Sequence, residues 1–98
     1  MADFERIICE GRAWSCDWAL RVVGCESGMN AHAQNPLGSD YGSLGLWQIH
    51  YPSHRANVGP DPTVLYDPVF NTDYAERLFL DQGVTPWLSS QVCWGGGL

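Results

Sequence analysis

Glu26 stands in the run Arg21-Val22-Val23-Gly24-Cys25-Glu26-Ser27-Gly28, near the end of a segment whose apolar residues recur at helical spacing. On a helical wheel at about 100° per residue, Trp18, Ala19, Val22, Val23 and Glu26 share one continuous arc. The carboxyl therefore falls within an apolar stripe, on a different face from Arg21. It also falls in the last turn, where unpaired helix carbonyls concentrate partial negative charge. A dry surrounding and a negative helix end both disfavour the carboxylate. The expectation is a glutamic acid that stays protonated near neutral pH and can donate to a leaving oxygen. A glutamate at a helix end is ordinarily solvated and inert, so the residues around Glu26 decide whether it does chemistry.

Other residue types with chemical potential are fewer. His32, His50 and His54 form no recognisable metal spacing and read as surface or loop residues. No metal and no cofactor is expected. The four cysteines, Cys9, Cys16, Cys25 and Cys93, include no C-x-x-C pair, which weakens a zinc reading. An even number in a short chain reads as two disulfides and an oxidising destination.

Three helices can be argued as the frame for Glu26. The first starts at Asp3, a good capping residue, and runs to about Glu10, with Phe4, Ile7 and Ile8 on one face and Gly11 as the stop. The second follows Ser15, carries Asp17 in its first turn, and ends before Gly28 near Glu26. The third opens at Asp67-Pro68, repeats Phe70, Tyr74 and Leu78 with Ala75 alongside, and ends at Gly83. Residues 29–62 are rich in Gly, Asn, Ser, Asp and Pro. They read as loops with two short helical turns at most and little core, and a long loop region is usually functional. Whether a hairpin forms over residues 37–47 stays open. A Cys9–Cys16 bridge would clamp the first corner, and a Cys25–Cys93 bridge would tie the end of the second helix to the tail. Three pairings are possible, and the sequence does not choose among them.

The chain has 98 residues, which makes one domain. Residues 1–94 are assigned to it, and 95–98 read as the start of a Gly-rich linker or tail. Hydrophobic residues make up 45% and include five Trp, which is enough for a core. No run approaches the roughly 18 apolar residues of a membrane span. Eleven acids against five Arg and no Lys give a net charge of −6, which argues against nucleic acid and anionic membrane as partners. Met1-Ala2-Asp3 lacks a basic region followed by an apolar stretch, so no signal peptide is expected. That conflicts with disulfides. The expectation that reconciles them is excision from a larger protein, or release by another route such as a phage.

Glu26-Ser27 is followed by Asn30 and Ala33, and then by Gly45-Leu46-Trp47-Gln48-Ile49 about twenty residues on. This set resembles the lytic transglycosylase and goose-type lysozyme superfamily. The continuation His50-Tyr51-Pro52-Ser53-His54 is similar to goose-type lysozymes. Asp67-Pro68, Asn71, Ala75, Leu78, Gly83 and Pro86-Trp87 resemble the closing helix and tail of bacterial and phage members. The resemblance spans about residues 5–94. It implies a mainly α, small lysozyme-like domain that cleaves the bond between N-acetylmuramic acid and N-acetylglucosamine in peptidoglycan. It places the catalytic acid on Glu26, lets Ser27 and Gln48 hold substrate, and lines the sugar groove with the backbone at Gly45 and Leu46. A glycine at 45 would let a sugar approach the backbone. Tyr41, Tyr74 and Trp47 are candidates for stacking on sugars. For Trp47 core packing is the stronger reading, and for the tyrosines the two readings balance. Trp14, Trp18 and Trp94 read as core or disulfide cover. The acidic chain suits a neutral sugar backbone held by aromatics and hydrogen bonds.

Hydrolysis by inversion needs a second carboxylate roughly 6.5–9.5 Å from the first. Goose-type lysozymes carry acids near the Gly-Leu-x-Gln motif. Asp40 falls close to one such position, while the other is His50. Lytic transglycosylases resemble the lone-Glu pattern, in which the sugar's own 6-hydroxyl is the nucleophile and positioning replaces the second acid. The reading leans to the transglycosylase, with Asp40 keeping the hydrolase open. Two readings of other classes compete: a wall-binding module without turnover, and a structural part of a phage tail or secretion apparatus. The expected setting is extracellular, at the cell wall or phage-associated. Peptidoglycan glycan strands are the expected partner of a monomer or a module.

Overall fold

The computed structural model describes residues 3–35 and 41–95. Among them are the helices α1 (Asp3–Cys9), α2 (Cys16–Ser27), α3 (Tyr51–Val58), α4 (Pro68–Gln82) and α5 (Gln91–Trp94). The two-residue strands β1 (Gln34–Asn35), β2 (Ser43–Leu44) and β3 (Ile49–His50) form an antiparallel sheet in that order, with Gln34 opposite Leu44 and Leu44 opposite Ile49. Short 3-10 helices cover Pro62–Tyr66 and Thr85–Ser90. The mainly α class expected from the sequence is what forms, and no helix among the described residues is long and apolar enough to cross a membrane.

The helix ends follow from local chemistry. Ser15 Oγ accepts the Trp18 amide at the start of α2, and Gly28, at φ 64°, closes it in the left-handed conformation that glycine adopts freely. Asp67 Oδ1 accepts the Val69 and Phe70 amides at 2.9 and 3.0 Å, with Pro68 at the first helical position of α4. The Cys9–Cys16 disulfide clamps the α1–α2 corner. Arg12 fastens that corner to α4 through Asp73 at 2.7 Å and Glu76 at 2.9 Å.

The core is an aromatic cluster under α2. The Trp18 ring lies 5.2–6.0 Å from those of Trp14, Trp47, Phe79, Trp87 and Trp94, centroid to centroid. The buried tryptophans include Trp14, Trp18 and Trp94, as the sequence suggested. The stretch 29–62 departs from expectation. It carries the sheet and the eight-residue helix α3, and Leu44, Leu46, Trp47, Ile49 and Tyr51 are all at most 3% exposed. Strands of two residues are too short for an alternating pattern to show, so the buried side chains were hidden among turn formers. α3 starts at Tyr51-Pro52, a proline in the first turn, which is a helix signal the loop-like composition masked.

Candidate active site

Glu26 lies in the last turn of α2, one residue after Cys25. The Cys25–Cys93 disulfide joins that turn to α5, with Cα atoms 6.0 Å apart. The tail thus folds back across the helix end and brings Ser90 to Glu26. The Ser90 hydroxyl donates to Glu26 Oε2 at 2.6 Å. Trp94 Nε1 donates to Ser90 Oγ at 3.0 Å, and the Trp87 carbonyl lies 3.1 Å from both groups. Glu26 is half-buried. Burial raises its pKa above the ordinary glutamate value, and the Ser90 hydrogen bond opposes that rise. The two effects pull apart, and desolvation is the larger.

Glu26 forms part of the wall of a cleft of about 480 Å³, together with Gln48, His50, His54, Gln82 and Trp87 among others. That volume lies within the ~300–1,000 Å³ usual for ligand sites. Gln48 is placed by the turn between β2 and β3, where it adopts a φ of 50°, unusual for a residue with a side chain. Its amide nitrogen donates to the carbonyls of Gly45 at 3.0 Å and Ala33 at 3.3 Å. The turn is fixed from below by Asn71, which is fully buried. Asn71 Oδ1 accepts the Trp47 amide, and Nδ2 donates to the Leu44 and Leu65 carbonyls, all at 2.9 Å. Every hydrogen-bonding end of that side chain except one lone pair is used, as a buried amide requires.

Two of the three histidines, read from sequence as surface or loop residues, line the cleft instead. His50 ends β3 and its Nδ1 lies 2.7 Å from Ser53 Oγ. His54, one turn on in α3, has its Nδ1 2.9 Å from the Tyr74 hydroxyl. Both rings are half-buried. Burial, and then repulsion from His50, lowers the His54 pKa and favours a neutral ring. His32 is exposed and stacks on Tyr66. Among the described residues no three His, Cys, Asp or Glu are grouped to hold a metal.

A family model, the transglycosylase SLT domain, matches residues 11–83. The chain belongs to this family. Neither the curated proteins nor the solved structures compared with the chain gave a match. The family supports a peptidoglycan lytic transglycosylase-like function and peptidoglycan as substrate. The two disulfides and a wall-acting domain agree with an extracellular or periplasmic setting.

Within this SLT domain the other residues singled out from the sequence are distributed unevenly. Gln48 is on the cleft wall with Glu26. Ser27 is half-buried, and its hydroxyl turns back to the Val23 carbonyl at 3.2 Å. Gly45 is buried at φ 80°, and a Cβ there would overlap Leu65 O and Asn71 Nδ2. Its missing side chain makes room for Asn71. The Leu46 side chain has no exposed surface and packs in the core. Tyr74 is 5% exposed, with its hydroxyl 2.9 Å from His54 Nδ1 and the Arg77 guanidinium over its ring, and it is not part of the wall that holds Glu26. Trp47 is core, as its stronger reading had it. Tyr41 is 51% exposed, packed edge-on against Tyr51, and not part of the cleft wall. Asp40 lies outside the described residues.

Sequence reasoning missed Ser90 and the cleft histidines. The signal for Ser90 was present in the cysteines: once Cys93 pairs with Cys25, a residue one turn before Cys93 is carried to the neighbour of Cys25. The signal for His50 and His54 was their spacing of four across a proline-started helix. Ser90 and Trp87 also lie beyond the span that the SLT model matches.

Proposed function

We propose that this domain cuts the β-1,4 bond between N-acetylmuramic acid and N-acetylglucosamine, with Glu26 as the proton carrier in both steps and a 1,6-anhydro product. The observation that carries the reading is a half-buried Glu26 on a cleft wall, its proton affinity raised by burial. In the first step the Glu26 carboxyl protonates the glycosidic oxygen. The C1–O bond breaks and the N-acetylglucosamine leaves with its 4-hydroxyl restored. In the second, the Glu26 carboxylate takes the proton of the muramyl 6-hydroxyl as its oxygen bonds to C1, which restores the acid. No water enters the balance, so no second carboxylate is needed to activate one. Among the described residues Glu26 is the sole carboxylate on the cleft wall, and His50 stands where goose-type lysozymes resemble one another in carrying an acid.

Turbidity loss of a wall suspension and mass spectrometry of the products test this. Glu26→Gln should fold and lose about two orders of magnitude or more in rate, the span that acid–base catalysis supplies. Equal rates would overturn the catalytic assignment. Wall binding by both proteins without turnover by either would make this a binding module. Reducing ends in place of anhydro ends would mean hydrolysis, with Asp40 the first group to test.

A further inference from the structure

We propose that Ser90 is a positioning residue that divides the two oxygens of Glu26 between separate tasks, anchoring Oε2 and leaving Oε1 to carry the transferable proton. The inference rests on Glu26 being the proton carrier.

A serine hydroxyl has one proton to give and two lone pairs. Trp94 Nε1 donates into one of those lone pairs at 3.0 Å, so the Ser90 proton must point elsewhere. Two acceptors are in reach: Glu26 Oε2 at 2.6 Å and the Trp87 carbonyl at 3.1 Å. The shorter distance is that of a hydroxyl bonded to an ionised carboxylate, about 2.5–2.7 Å, so with Glu26 ionised the Ser90 proton goes to Oε2. An oxygen that already accepts a hydrogen bond is the poorer seat for the acid's own proton. That proton therefore sits on Oε1, for which no partner occurs among the described residues. After the first transfer, the same hydroxyl stabilises the carboxylate that must next act as base. Ser90 is itself held in place: its 3-10 helix Thr85–Ser90 runs into α5, whose Trp94 and Cys93 bind it to the core and to Cys25.

The pH readout of this idea must separate Glu26 from other groups facing the cleft. These are His50 and His54, from β3 and α3. The α4 residues Leu78 and Gln82 and the tail residues Pro86, Trp87 and Ser89 contribute no titrating group. Of these titrating groups Ser90 hydrogen-bonds Glu26, so its removal acts on that titration.

The experiment compares wild type, Ser90→Ala and Ser90→Thr on purified peptidoglycan across pH. Trp94 Nε1 retains the Trp87 carbonyl in the alanine variant, so folding should survive, which a melting curve checks. Ser90→Ala should lower kcat about tenfold with little change in KM, the scale of one lost hydrogen bond to a charged group. Its alkaline limb should move to higher pH, because the bond lost was the one favouring the ionised form. Ser90→Thr should restore both. An alanine variant that melts lower yet has an unshifted profile and full kcat would show a merely structural serine and overturn the proposal. A wild type without anhydro product, or a Glu26→Gln variant as active as wild type, would instead overturn the underlying reading of Glu26.

Discussion

Glu26 is placed where its charge is unwelcome, and that has a cost to stability as well as a use. Its folded pKa is raised above the unfolded value near 4.5, so the folded state binds the proton more tightly. The stabilisation this gives is fully present below the unfolded pKa. It is lost as pH rises from there through the raised folded value. Replacing Glu26 by Gln removes the titration while leaving an oxygen to accept from Ser90. Glu26→Gln should therefore melt higher than wild type at neutral pH and no higher at acid pH, in the same samples that have lost activity. A variant that melts lower at neutral pH would show that the carboxylate is well solvated in the folded chain. Gain in stability with loss of rate is the usual mark of a strained catalytic group. This much was legible in the sequence, because the wheel of α2 placed Glu26 beside Val22 and Val23 and both are buried. Its partner Ser90 was legible only through the Cys25–Cys93 pairing, one of three that the sequence left open.

At the scale of elements, the cleft is assembled from pieces that differ in how they are held. The turn carrying Gln48 is fixed by Asn71 on α4, through backbone groups on both sides of it. The tail carrying Trp87 and Ser90 is fixed by the Cys25–Cys93 bridge, which spans 68 residues, against 7 for Cys9–Cys16. In the chain-entropy model the long bridge contributes about 4 kcal/mol and the short one about 2.5 kcal/mol. Replacing Cys25 and Cys93 together by serine should lower the melting temperature more than replacing Cys9 and Cys16. It should also lower activity in samples that remain folded, because the tail no longer holds Ser90 on Glu26. Equal melting losses, or full activity in the folded Cys25/Cys93 variant, would contradict this role. The helices α1, α2 and α4 were legible because caps and glycines mark their ends. The sheet and α3 were not. Their strands are two residues long and their buried side chains are spaced by turn formers, so tertiary contact, through Asn71 above all, decides their structure.

At the scale of the whole molecule, a 98-residue chain has little core to spend on a cleft. It offsets that with two disulfides, a cluster of aromatic rings around Trp18, and an Arg12 network between its first corner and α4. The net charge of −6 leaves hydrogen bonds and shape, more than attraction of opposite charge, to hold a wall polymer. The SLT family was legible from Glu26-Ser27 and the Gly45–Gln48 run, which are local in sequence. The tail's contribution was not, because it reaches the site only through a contact between residues far apart in the chain. All of these arrangements converge on one carboxyl whose proton affinity burial raises. Carbon-13 NMR titration of the Glu26 carboxyl in the disulfide-intact protein measures that directly. The midpoint should lie above 4.5, the ordinary glutamate value, and a midpoint at or below it would contradict the account.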